Sequence, residues 1–84
     1  MFVLLHVGEE QTKVVGVSST WDEGVIKQAI VDHVASWVCP PNNLSLDSIV
    51  EREVDGFYKV YDVFELGELY DEWNTYVVQK ARAL

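Results

Sequence analysis

The run Phe57-Tyr58-Lys59-Val60-Tyr61-Asp62-Val63-Phe64 constrains the fold of this chain more than any other segment. Aromatic and β-branched side chains crowd the preceding turn of a helix but fit the half-buried surface of a pleated sheet, so these residues specify a strand. A strand needs partners. Phe2 to Val7 and Lys13 to Ser18 are further runs of β-formers, separated by the polar loop Gly8-Glu9-Glu10-Gln11-Thr12. They read as an opening hairpin that pairs with the 57–64 strand.

Helical periodicity occupies two other stretches. Thr20 followed by Glu23 matches a capping box, and Trp21, Val25, Ile26, Ala29, Ile30, His33, Val34 and Trp37 then recur at three- and four-residue steps. This predicts a helix to about Val38, ended by Pro40-Pro41, because proline cannot continue the hydrogen-bond ladder. Leu44 to Val54 is ambiguous: Ser45 could cap a short helix that buries Leu46, Ile49 and Val50, whereas Leu44, Leu46, Val50 and Val54 also fit a period of two. The favoured reading is a short helix, then extended chain. From Glu68 onwards Leu69, Trp73, Tyr76, Val77, Ala81 and Leu84 fit a second amphipathic helix, acidic early and basic late (Lys80, Arg82), with Trp73 in the core. The expected fold is therefore α+β, in the order β-β-α-(α)-β-α. It places an antiparallel sheet of about three strands under two main helices packed on one face, with residues 1–84 forming a single small domain.

The segments Phe2-Val3-Leu4-Leu5-His6-Val7, Val14-Val15-Gly16-Val17-Ser18-Ser19 and Tyr61-Asp62-Val63-Phe64-Glu65-Leu66 resemble small uncharacterised bacterial and phage proteins with an opening hairpin and helix. The resemblance covers about a quarter of the chain. It implies a fold type and carries over no functional residue.

At 84 residues the chain buries only about 60–65% of the surface that its unfolded form exposes. With 49% hydrophobic residues, including three Trp, four Tyr and three Phe, it still has ample material for a core. Aromatics in excess of what so small an interior encloses suit a partner or a second copy, so a homodimer enters the expectations. Cys39 is the only cysteine, which rules out an intramolecular disulfide and fits a reducing cytoplasm. The start Met1-Phe2-Val3-Leu4-Leu5 lacks the basic region of a signal peptide, and no apolar run reaches the roughly 20 residues of a membrane span.

Catalytic motifs do not emerge. His6 and His33 have no ligand-spaced partner, so neither metal nor cofactor is expected, and His33 on the apolar stripe reads as a core or boundary histidine. Cys39, just past a helix C-terminus where the dipole disfavours a thiolate, reads as a packed, inert thiol. Ser18, Ser19 and Thr20 lack a nucleophile elbow, and Gly8, Gly16 and Gly24 match no phosphate loop. A non-enzymatic role is expected.

Charge is the most informative functional feature. The net charge is −8, which disfavours direct binding of nucleic acid or an anionic membrane and favours a basic protein partner. Residues 51–72 carry most of it, with eight carboxylates against Arg52 and Lys59. Extended chain sets Glu51, Glu53 and Asp55 on one face, and the expected last helix does the same for Glu68, Asp71 and Glu72, with Glu65 joining from the preceding turn. Tyr58, Tyr61, Tyr70 and Tyr76 interleave with these acids. Carboxylates supply steering and tyrosines supply contact area, so these eleven residues form the expected partner-binding surface. The expected function is that of an inhibitor, of the phage anti-defence or toxin-antidote type, which mimics DNA in a basic cleft. Two other readings compete: a self-associating accessory protein, and a solvated face that merely keeps the chain soluble.

Overall fold

A computed structural model describes the backbone of residues 1–54 and 58–81, and the side chains of the same residues other than 53 and 54. The opening hairpin forms as the sequence suggests, from β1 (Phe2–Val7) and β2 (Thr12–Ser18). After the hairpin comes one α-helix, α1 (Glu23–Ala35), then a 3-10 turn at Leu46–Ser48 and β3 (Ile49–Val54). The aromatic run becomes β4 (Tyr58–Glu65), followed by the two-residue β5 (Glu68–Leu69) and by β6 (Thr75–Lys80). All pairings are antiparallel, and the strand order is β2-β1-β6-β4-β3, with β5 folded back on the end of β4.

This corrects the expected α+β arrangement of about three strands and two main helices: the sheet has six strands and the described residues contain one α-helix. The expected last helix is β6. Thr75-Tyr76-Val77-Val78 is β-branched or aromatic throughout, and such residues lose side-chain freedom in a helix, whereas a strand lets alternate members bury on one face. Tyr76 and Val78 do so, at 0% and 1% exposure. β6 is also the central strand and separates β4 from the opening hairpin, so the expected direct pairing of β4 with the hairpin does not occur. Trp73, expected in the core, is 56% exposed in the turn before β6.

The acids that were to open a helix instead close turns. Leu66 and Gly67 have φ of 53° and 82°, the left-handed pair of a tight two-residue hairpin between Glu65 and Glu68. Asp71 Oδ1 accepts the Trp73 backbone N–H at 2.8 Å, and the Asn74 N–H donates to the Asp71 carbonyl at 3.1 Å, which turns the chain into β6.

α1 covers one face of the sheet. Ile26, Ile30 and Val34, one helical stripe at i, i+4 and i+8, pack on Leu4, Val78, Tyr76, Tyr61, Val63 and Ile49. The helix starts later than the sequence suggested. Asp22, not Thr20, is the N-cap, and its Oδ1 accepts the Val25 N–H at 3.1 Å. Thr20 is held in the preceding turn, where its carbonyl accepts the Ser18 hydroxyl. The helix also ends at Ala35, earlier than expected, because Ser36 and Trp37 already donate to carbonyls three residues back, a tightening that leads into Pro40-Pro41. Asp22→Ala should therefore cost about 0.5–2 kcal/mol, and Thr20→Ala less than about 0.5 kcal/mol. Urea denaturation of both variants checks this, and the reverse ranking would reject the cap.

Both edge strands are irregular. Leu4 pairs Gly16 but Leu5 pairs Val14, which leaves Val15 as a bulge in β2, and Arg52 is likewise unpaired between the Glu51–Tyr61 and Glu53–Val60 pairs of β3 and β4. No helix among the described residues is long and apolar enough to cross a membrane.

Candidate functional site

Antiparallel pairing gathers loops that are distant in sequence. Val7 pairs with Thr12 and Thr75, Asp62 pairs with Thr75, and Ile49 pairs with Val63, so the β1–β2 loop, the start of β3 and both turns between β4 and β6 lie at one end of the sheet. That end carries Glu9, Glu10, Asp47, Glu65, Glu68, Asp71 and Glu72. Exposed apolar side chains lie among them: Leu66 at 89%, Trp73 at 56% and Leu69 at 43%. Glu65 is partly engaged, since its Oε1 accepts the Asn42 N–H at 3.1 Å and ties down the loop after α1.

The expected partner-binding residues separate accordingly. Glu65, Glu68, Asp71 and Glu72 come together at this end, and Tyr70 lines the cleft beside them. Glu51 lies elsewhere, on the helix-side face, bonded to Lys59 Nζ at 3.3 Å. Glu53 follows the Arg52 bulge, which breaks the alternation that was to align it with Glu51; its side chain, like all of Asp55, falls outside the described residues. Tyr58 stands near the opposite end, on the face away from the helix. Tyr61 and Tyr76 are fully buried, and burial pushes both phenols to higher pKa, so they are core and present no surface to a partner.

The cleft at the acidic end, about 490 Å³, lies between the last turn of α1 and the β5–β6 turn, with His6, Lys13, His33, Trp37, Cys39, Tyr70, Asp71 and Asn74 in its wall. His33 in the last turn of α1 and Trp37 just past its end reach it because β2 leads into α1 at the far end and the helix runs back. Its floor is an aromatic stack: His6 lies on Tyr76 at 4.9 Å, Trp37 is parallel to Tyr76 at 6.5 Å, and Tyr70 stacks on Trp37 at 5.9 Å. The Tyr70 hydroxyl donates to the Cys39 carbonyl at 2.6 Å, which holds the post-helix loop against the turn. Cys39 itself is an exposed free thiol, which corrects the expectation of a packed one.

Two hydrogen-bonded chains fix the imidazoles. Asp71 Oδ2 accepts from Asn74 Nδ2 at 2.8 Å, which turns the amide oxygen towards His6, so His6 donates through Nε2 at 2.8 Å. His33 Nδ1 accepts the Tyr76 hydroxyl at 2.5 Å. The His33 pKa is lowered by burial, and further by the positive charges of His6 and Lys13. A neutral His33 stabilises the fold above the ordinary value of 6.5, and that stabilisation is lost as pH falls through the lowered folded value. The urea midpoint should drop between pH 7 and pH 5.5, more in the wild type than in His33→Gln, measured at both pH values. Equal drops would reject the role of His33.

Ser36 Oγ donates to the His33 carbonyl, not to an imidazole, and the described residues include no group of three or more His, Cys, Asp or Glu able to hold a metal ion. What the cleft offers is aromatic surface with a polar rim. Sequence reasoning missed His6, Trp37 and Asn74 as neighbours. The available signals were the alternation of His6 with Phe2 and Leu4 on a buried strand face and the i, i+4 step from His33 to Trp37. The chain matches no family model, no curated protein and no solved structure.

Proposed function

We propose that this chain is a non-enzymatic binding protein whose acidic end engages a basic surface of a protein partner. The observation that carries this reading is the convergence of Glu9, Glu10, Asp47, Glu68 and Glu72, all exposed, on the end where Leu66, Leu69 and Trp73 are also exposed. Separated carboxylates steer a cationic partner during approach, and exposed large apolar groups beside them supply the short-range area that steering alone lacks. Among the described salt bridges, Lys27, Arg52 and Lys59 are each paired within the chain, and none neutralises this end. An inhibitor that occupies a basic cleft otherwise used by nucleic acid is the role such a surface suits.

The test is capture on the immobilised protein from lysate at low salt, followed by elution at rising salt. Basic proteins that elute early support the reading. Retention of only neutral or acidic proteins, or retention insensitive to salt, would overturn it.

A further inference from the structure

Among the described residues, no helix covers the face of the sheet away from α1. Strand register places Val14, Leu5, Val77 and Val60 in one row across four strands, with Val17 and Val3 in the next row and Val7 in the row beyond. Val14 and Val17 are 66% and 62% exposed. Two acidic residues fall in these rows on a chain of net charge −8: Glu53, at the β3 edge opposite Val60, and Asp62, with which Arg52 Nε already pairs at 2.6 Å.

We infer that this face is the contact between two copies of the chain, packed sheet on sheet. Charge is the first argument. A basic partner gains little from a face on which valines outnumber charges, whereas two chains that repel each other through their acidic ends meet best where charge is sparse or already neutralised.

Area is the second. Strands about 4.8 Å apart, rising about 3.3 Å per residue, give five strands of six residues a face of roughly 24 by 20 Å. Two such faces together hide on the order of 1,000 Å², where specific interfaces begin.

The third argument is the state of the edges. Bulges at Val15 in β2 and at Arg52 in β3 interrupt the free edges of the sheet, which disfavours lateral strand addition and leaves the valine face as the apolar contact away from the acidic end. A two-fold axis across the strands sets the acidic ends at opposite poles and keeps them apart. The two sheets then form a sandwich with layers about 10 Å apart.

Sedimentation equilibrium from micromolar to near-millimolar concentration tests this. The wild type should reach twice the monomer mass, with an affinity that high salt leaves within about twofold, in contrast to the salt-sensitive partner binding proposed above. Val14→Lys with Val17→Lys should weaken the dimer at least tenfold, and Val25→Lys, on an exposed position of the helix on the other face, should not. Val14→Thr with Val17→Thr, which keeps β-branching, should weaken it in the same direction and serves if the lysine variant loses its far-ultraviolet dichroism. A wild type that stays monomeric throughout would overturn the inference and leave the face to some other occupant. So would a dimer that both β2 variants leave intact, or one that Val25→Lys disrupts equally. Charge variants at the acidic end leave this equilibrium unchanged, so the dimer and the partner reading fail separately.

Discussion

Tyr76→Ala should be among the most destabilising truncations in this protein and should cost about 3–5 kcal/mol. The side chain is fully buried in the central strand, packs against both the His6 and Trp37 rings and donates to His33, so truncation removes packing on several sides and one part-buried hydrogen bond. Removing a large buried aromatic costs about 3–5 kcal/mol, and a domain of this size holds about 4–12 kcal/mol in all. Trp73→Ala deletes a larger side chain three residues earlier, yet its ring is more than half exposed, and the loss should stay below about 1 kcal/mol. Urea denaturation followed by far-ultraviolet circular dichroism measures both. The contrast is diagnostic, because a terminal helix with Trp73 in the core requires the opposite order. Equal losses would remove the basis for placing β6 in the centre of the sheet.

Glu68→Gln with Glu72→Gln should slow association with a basic partner several-fold at low salt, and the difference should shrink as salt rises. Both positions are exposed at the acidic end, and glutamine preserves size, so the change reports charge. The control is Glu23→Gln with Asp32→Asn, two exposed acids on α1. Glu9 and Glu10 cannot serve as controls, because the β1–β2 loop belongs to the same end. Stopped-flow or surface-based kinetics against the captured partner gives both rates. If the two pairs slow association equally, only net charge matters; if neither does, the acidic end is a solubilising surface.

Much of the fold was legible where one physical signal acted alone. The hairpin, the helix with its Ile26-Ile30-Val34 stripe and the aromatic strand β4 follow from local pattern, and Leu46–Ser48 followed by β3 matches a short helical turn and extended chain. Residues 68–81 failed because two signals competed. Spacing of Leu69, Trp73, Tyr76 and Val77 mimicked a helical stripe, while the β-branched content of 75–78 and the turn chemistry of Leu66-Gly67 and Asp71 argued for strands. Tertiary pairing with β1 and β4 decided the matter, and no local window contains that information. Glu65, Glu68, Asp71 and Glu72 do lie at one end of the sheet, though on turns and not on one face of a helix. Their company with Glu9, Glu10 and Asp47 was invisible because it depends on strand order.

Placing β6 between β1 and β4 also has a consequence for synthesis. A ribosome delivers the hairpin, the helix and β3–β4 first, but the strand that joins the two halves of the sheet emerges after all of them. Until it does, β1 and β4 each present an unpaired apolar edge, and the helix has only half a sheet to cover. Local hairpin and helix formation is fast, whereas closure must bring residues 2–7 and 75–80 together across nearly the whole chain, the kind of non-local step that dominates folding time. The nascent protein therefore waits with its stickiest surfaces open, and chaperone demand should concentrate in that interval before β6 is released.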